Sequence, residues 1–91
     1  MALVLAPDVT TTAVEDGLVL LDQRSGRYWQ LNGSGALTLR RLLDGAAPAD
    51  VADELAGDAG EVRARALGDV ETLVAALCRA GLLRDEGGAA A

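Results

Sequence analysis

The stretch DQRSGRYWQLNGSG, residues 22–35, carries the succession of signals that decides the fold. Gly26 suits the positive φ angle of a tight turn, and residues 27–31 follow it as a short strand. Asn32 or Ser34 can then accept a hydrogen bond from the free N–H groups at the start of a helix. The stretch therefore predicts the end of one strand, a turn, a second strand and the beginning of a helix.

Two segments before this stretch also have the composition of strands. Residues 9–14, VTTTAV, are rich in β-branched residues, and residues 18–21, LVLL, form a short apolar run. Residues 15–17, EDG, are a turn signal between them. Because short connections favour antiparallel neighbours, we predict a three-stranded antiparallel meander with strand order 1-2-3. Its third strand, residues 27–31, then lies at an edge of the sheet.

After the stretch, apolar residues recur at helical spacing in three segments. The first helix ends at Gly45, the second begins at Pro48, and the third follows a loop at residues 57–60 and closes at Gly81. Gly68 is either the true start of the third helix or a weak point within it. Each predicted helix has an apolar inner face. It consists of Ala36, Leu39, Leu42 and Leu43 in the first helix, of Val51, Ala52 and Leu55 in the second, and of Val62, Ala66, Val70, Leu73, Val74 and Leu77 in the third. Three strands followed by three helices indicate an α+β fold of winged helix-turn-helix type.

At 91 residues the chain has the length of one small domain. We assign residues 9–84 to this domain, residues 1–8 to an N-terminal extension and residues 85–91 to a disordered tail, with residues 82–83 folding back on the core. No apolar run approaches the ~18–20 residues that span a bilayer, and no positive charge precedes the apolar residues 2–5 as it would in a signal peptide. We therefore expect a cytoplasmic protein without a membrane partner.

The charge of the chain argues against nucleic acid as a partner. Eight basic residues, all arginine, face 14 acidic residues and give a net charge of −6. Such a surface repels phosphate backbones and anionic lipid. A DNA-reading third helix should be basic, yet its arginines are offset by Glu61, Asp69 and Glu71. A winged-helix DNA-binding regulator is thus the less favoured alternative.

The residue types that enzymes use are scarce in this chain. It has no histidine, which is the commonest general base and a common metal ligand. The single cysteine, Cys78, has no histidine to activate it and is better explained as a structural thiol. Asp50, Asp53 and Glu54 share one helix and are typical of a solvated face. We expect neither an enzyme nor a metal or cofactor site.

Four short motifs resemble the PqqD-like family, and most closely the stand-alone members encoded in lasso-peptide gene clusters. They are SGRYWQLN at residues 25–32, the helix start GALTL at residues 35–39, LLDG at residues 42–45 and AGLL at residues 80–83. The resemblance covers about residues 9–84. The chain departs from the pattern at residues 58–60, DAG, where many relatives have an aromatic residue.

The resemblance implies a non-catalytic recognition element of lasso peptide biosynthesis, one class of ribosomally made and modified peptides. Such a protein binds the leader of the precursor and presents it to a leader peptidase, a cysteine protease similar to transglutaminases. The leader lies as an extra strand along the third strand, packed against the third helix, and supplies Tyr, Pro and Leu anchors. An alternative is an adaptor for a radical SAM maturation enzyme, which other PqqD-like members serve.

The edge position of the third strand gives this implication a physical basis. An edge strand has unpaired N–H and C=O groups, and aromatic rings are frequent anchors in interfaces. The candidate leader-binding residues are Arg27, Tyr28, Trp29, Gln30, Leu31, Val70, Leu73, Val74 and Leu77. Because alternate residues of a strand point to opposite faces, at most one of the two rings can line a groove shared with the third helix. The sequence leaves open which ring does so.

Overall fold

The computed structural model describes residues 2–57 and 60–86. Within them the chain forms five strands and three helices: β1 (Leu3–Leu5), β2 (Val9–Val14), β3 (Gly17–Asp22), β4 (Tyr28–Asn32), α1 (Gly33–Leu43), α2 (Pro48–Ala56), α3 (Gly60–Arg79) and β5 (Leu83–Asp85). Strands β2, β3 and β4 form an antiparallel sheet in that order. The predicted α+β architecture, a three-stranded antiparallel sheet followed by three helices, is confirmed.

The sheet buries one face only. In β3, Leu18 pairs with Leu31 of β4 and Leu20 pairs with Trp29, so these four side chains share the inner face. Leu20 has no exposed surface, and Leu18 and Leu31 are buried. The inner face packs on residues from α1, α3 and the segment after α3: Ala36, Leu39, Leu77, Leu82 and Leu83.

The turn between β3 and β4 is fixed by the residues that the sequence singled out. Gly26 has a φ of 76°, which a residue with a Cβ rarely adopts. The Asp22 carboxylate accepts hydrogen bonds from the backbone N–H of Arg24 at 3.0 Å and from the hydroxyl of Ser25 at 3.1 Å. The Asp22 N–H donates to the Arg27 carbonyl at 2.9 Å, which sets the register of β4 against β3.

Gly17, at the start of β3, lies against the backbone of β4. A Cβ added there would come within 1.8 Å of the Leu31 carbonyl oxygen. Since that oxygen belongs to a strand backbone, β4 would have to shift, and we expect Gly17→Ala to lower the free energy of unfolding by about 1–3 kcal/mol. Urea denaturation followed by circular dichroism measures this change.

The matched control for this substitution is Gly68→Ala on the exposed side of α3. Among the described residues, a Cβ built at Gly68 meets no atom within 4 Å other than the backbone of its own stretch of helix and its two chain neighbours. Because alanine favours the helix over glycine, this variant is expected to gain about 0.5–1 kcal/mol. A Gly17→Ala protein as stable as the unchanged chain would contradict the close approach of the two strands.

The helices begin and end where capping residues predict. The Asn32 side-chain oxygen accepts a hydrogen bond from the Gly35 N–H at 2.8 Å and caps α1, and Pro48 occupies the first turn of α2. The third helix is continuous through Gly68, so it does not start there. The loop predicted at residues 57–60 is wrong at Gly60, which begins α3, and its residues 58 and 59 lie outside the described residues.

A second cluster of buried residues holds α2 and α3 together and consists of Leu3, Leu42, Val51 and Val70. Two ion pairs on the surface tie α2 to its neighbours: Arg41 of α1 to Glu54 of α2 at 3.0 Å, and Arg63 of α3 to Asp53 of α2. These contacts fix the first half of α3 relative to α1 and α2. No helix in the described part of the chain is long and apolar enough to cross a membrane.

Two short strands were not predicted. Leu3–Leu5 pairs with Leu83–Asp85 as a separate two-stranded antiparallel sheet. Leu3 and Leu83 are buried, as is Leu82, so residues 82–83 do fold back on the core. The expected extension at residues 1–8 thus contains β1. Of the expected tail, Asp85 ends β5 and residues 87–91 lie outside the described residues.

Candidate functional site

A groove runs between the end of β4, the start of α1 and one face of α3. Its volume is about 550 Å³. Its lining residues are Gln30, Leu31, Asn32, Ser34, Gly35, Thr38, Leu55, Val62, Arg65, Ala66, Asp69, Val70 and Leu73. This volume lies within the range of sites that take small ligands or a few side chains of a peptide.

The walls of the groove are apolar because one stripe of α3 faces it. Val62, Ala66, Val70 and Leu73 recur at helical spacing, and Leu31 of β4 faces them. The stripe is not uniformly covered: Val70 is 1% exposed, whereas Val62 is 49% exposed. An apolar side chain at position 62 is left in water, and a ligand in the groove would cover it.

The polar groups at the end of the groove are already bonded within the protein. The Thr38 hydroxyl donates to the Ser34 carbonyl at 2.7 Å, and the Ser34 hydroxyl donates to the Asn32 side-chain oxygen at 3.1 Å. No buried side-chain nitrogen or oxygen among the described residues lacks a partner. The side chains of this end therefore leave no buried polar atom for a ligand to satisfy.

Charge in the groove is balanced although the whole chain is acidic. Among the described lining residues, Arg65 and Asp69 are the charged ones, one basic and one acidic. They lie four residues apart on α3 and are both exposed. The groove thus carries no net charge and does not select a ligand by overall charge.

The backbone of β4 borders the groove and has one unpartnered side. The hydrogen bond from Asp22 to Arg27 and the register of the pair direct the backbone groups of residues 27, 29 and 31 toward β3. The N–H and C=O groups of Tyr28 and Gln30 therefore point away from the sheet. No strand within residues 2–57 and 60–86 pairs with this side, which we call the open edge of β4.

Four of the nine residues proposed from the sequence line the groove: Gln30, Leu31, Val70 and Leu73. The other two residues on α3 do not line the groove. Leu77 is 2% exposed and belongs to the core under the sheet, and Val74 is half-buried and packs against the second cluster.

The two aromatic rings lie on opposite faces of the sheet, and neither lines the groove. Trp29 is partly buried on the inner face and packs against the core. The Arg27 guanidinium lies 5.1 Å from the centre of the Trp29 ring, a cation–π contact. Tyr28 is 68% exposed on the outer face.

Nine residues that line the groove were not among the leader-binding residues proposed from the sequence. These are Asn32, Ser34, Gly35 and Thr38 at the start of α1, Leu55 of α2, and Val62, Arg65, Ala66 and Asp69 of α3. Val62 and Ala66 belong to the apolar stripe that periodicity identified. Whether they line the groove depends on the angle at which α3 crosses β4 and α1, and helical spacing does not predict that angle.

The described residues contain no group of three or more Cys, Asp or Glu side chains placed to hold a metal ion. Cys78 is a free thiol, half-buried and packed against both core clusters. The site therefore consists of an open strand edge and a neutral, mainly apolar groove.

Comparison with known proteins matches this architecture to one family. The model of the family described as coenzyme PQQ synthesis protein D (PqqD) matches residues 17–83. No curated protein matches the chain. Among solved structures, a lasso peptide synthetase B1 complexed with the leader peptide is 41% identical, covers 93% of this chain and 100% of its own, and superposes with a TM-score of 0.85.

A second solved structure, TbiB1 in complex with the TbiA(beta) leader peptide, has a TM-score of 0.77. It is 23% identical and covers 97% of this chain and 100% of its own. At that identity the likeness establishes the shared fold alone.

Proposed function

Because the chain belongs to the PqqD family, we propose that it binds the leader segment of a lasso peptide precursor as an additional strand along β4. The observation that carries this proposal is the open edge of β4 beside the apolar groove. The similar protein with 41% identity, a lasso peptide synthetase B1, is complexed with the leader peptide, which supports the same class of ligand here.

The open edge supplies affinity that does not depend on the leader's sequence. The N–H and C=O groups of Tyr28 and Gln30 can bond to an incoming backbone, and each such bond contributes roughly 0.5–1.5 kcal/mol net. The bonds also fix the direction and register of the peptide relative to β4. Tyr28 thus takes part through its backbone, although its ring lies on the other face of the sheet.

The groove supplies selectivity through side chains. In a strand added to β4, alternate side chains point toward α3, where Val62, Ala66 and Leu73 form the wall. Apolar leader residues there gain about 25 cal/mol for each Å² removed from water. An aliphatic or aromatic anchor therefore fits the groove, and a charged one does not.

We also propose that the chain performs no chemistry itself and presents the bound leader to a leader peptidase, a cysteine protease similar to transglutaminases. The absence of histidine from the sequence supports a binding role for this chain and cleavage by a separate enzyme, because a cysteine or serine nucleophile usually needs an adjacent base.

The test is isothermal titration calorimetry of the full chain with a synthetic leader from the precursor encoded beside its gene. A saturable isotherm with one peptide bound per chain and a micromolar or lower Kd is the expected result. A peptide of the same composition in scrambled order is the control and should bind much more weakly. If the two peptides bind equally, or neither binds, the proposal is contradicted.

A further inference from the structure

The guanidinium of Arg27, the residue before β4, lies over the ring of Trp29 within that strand. The side chains of Arg27, Trp29 and Leu31 point to the inner face, because they alternate with Tyr28 and Gln30. The guanidinium lies 5.1 Å from the centre of the ring, and Arg27 is exposed whereas Trp29 is partly buried. The contact with the ring favours one placement of a side chain that otherwise rotates freely.

The positive charge of Arg27 has no acidic partner in the described part of the chain. Within residues 2–57 and 60–86, the ion pairs are formed by three other arginines: Arg24, Arg41 and Arg63. Asp22 is the neighbour of Arg27 across the two strands, but its carboxylate accepts hydrogen bonds from the turn, namely from the Arg24 N–H and the Ser25 hydroxyl. In a chain with 14 acidic and eight basic residues, Arg27 is thus an arginine available to a ligand.

Arg65, the basic residue of the groove, has different surroundings. Asp69 lies four residues further along α3, one helical turn away, and offsets its charge. Arg27 has no such neighbour on β4, where the residues that follow it are uncharged. Among the residues of β4 and of the groove wall, the uncompensated positive charge therefore belongs to Arg27.

Strand pairing determines which residues of an added strand would meet these side chains. The residues directly opposite Leu31, Trp29 and Arg27 would also point to the inner face, at intervals of two residues. A leader with an apolar residue opposite Leu31, at the groove, would place the residue two positions away at Trp29 and the residue four positions away at Arg27. Four residues of a strand span roughly 13 Å, so Arg27 meets a part of the leader beyond the groove.

A carboxylate is the side chain that fits Arg27. A guanidinium can bind both oxygens of a carboxylate, and its placement over Trp29 reduces the freedom that is lost on pairing. A leader shifted by two residues would keep the same side chains on the inner face, so strand addition alone does not exclude it. Such a shift would move the acid away from Arg27 on a protein of net charge −6, so the charge pair would favour one register.

We propose that Arg27, placed by Trp29, selects a leader with an aspartate or glutamate four residues from the residue opposite Leu31, and so sets the register of the leader on β4. This inference rests on the proposed function, because Arg27 has this role only if the leader adds to β4. The two can be tested separately, since Arg27 is exposed and lies outside the groove.

The test exchanges charges between the chain and a synthetic leader from the precursor encoded beside its gene, with the Kd measured by calorimetry. Arg27→Glu should raise the Kd about tenfold, because repulsion replaces attraction, and circular dichroism should show an unchanged fold. Each Asp and Glu of the leader is then replaced by Lys in turn. The substitution opposite Arg27 should weaken binding to the unaltered chain about tenfold and restore binding to Arg27→Glu within about threefold of the original Kd. Both losses should shrink at high salt concentration.

Arg84→Glu is the matched control, because it makes the same change of charge at an exposed arginine of β5 that does not line the groove. It should leave the leader Kd unchanged within about twofold. NMR contacts to the Leu31 methyl groups identify the leader residue opposite Leu31, and the restoring acid should lie four positions from it.

Three results would overturn the inference and leave the proposed function standing. Arg27→Glu binds the leader as well as Arg84→Glu does, or no lysine substitution in the leader restores binding to Arg27→Glu, or the restoring acid lies at another spacing. A leader that binds as a strand but contains no Asp or Glu has the same consequence as the second of these results. Failure of the unaltered chain to bind the leader overturns the proposed function, and the inference with it.

Discussion

Replacing Gln30 with proline is expected to weaken leader binding by about 100-fold or more while the fold is preserved. The Gln30 N–H points to the open edge and bonds no neighbouring strand, so its loss costs the sheet little. Proline removes that donor and places its ring where the leader backbone must lie. Calorimetry with the synthetic leader measures the change, and circular dichroism checks the fold.

Two controls separate the backbone from the side chain and from the sheet as a whole. Gln30→Ala keeps the N–H and should bind leader within about a factor of ten of the unaltered chain. Ala13→Pro places the same residue on β2, at the opposite edge of the sheet, where the N–H is also directed outward. It should leave the leader Kd unchanged. Equal binding by Gln30→Pro and Ala13→Pro would show that the leader does not use the open edge of β4.

The second large effect is expected from Val62→Asp in the groove. Val62 is 49% exposed in the free protein, so the substitution should not affect folding by more than about 1 kcal/mol. In the complex, however, the carboxylate would be covered by an apolar leader side chain, with Asp69 on the same wall. Arg65 lines the same groove but is itself exposed to water, so burying the carboxylate is still costly, and we expect the leader Kd to rise about 10- to 100-fold.

Val14→Asp is the control for this substitution, since it introduces the same charge at a similarly exposed valine, 39% exposed, on the outer face. The overall charge of the two variants is identical, so a nonspecific effect of charge would weaken both alike. Selective weakening by Val62→Asp supports the groove. If Val62→Asp binds the leader as well as Val14→Asp does, the groove is not the site of leader side chains.

The sequence was sufficient for the three-stranded sheet, for α1 and for the start of α2, because local signals determine them. Each of these signals depends only on residues nearby in the chain. They are the turn residues Asp22 and Gly26, the N-cap Asn32 and the first helical residue Pro48. The two short strands β1 and β5 were missed because each has three residues. Their pairing joins the two ends of the described chain, and no periodicity in so short a segment indicates it.

The groove could be predicted only in part, because periodicity finds an apolar stripe and does not say what covers it. Val62 and Leu77 belong to the same stripe of α3, yet one is 49% exposed in the groove and the other 2% exposed under the sheet. The difference arises from how α3 crosses the sheet. Alternation along β4 showed that Tyr28 and Trp29 face opposite ways, but which face is buried depends on the pairing of Leu20 with Trp29.

The most direct test of strand addition is amide hydrogen exchange of β4, measured by NMR with and without saturating leader. In the free chain, the amides of Trp29 and Leu31 should exchange slowly because they bond to β3, and the amides of Tyr28 and Gln30 should exchange fast. With the leader bound, Tyr28 and Gln30 should become protected as well, so that the alternation disappears. If Tyr28 and Gln30 still exchange fast when the leader is bound, the leader is not a strand on the open edge of β4.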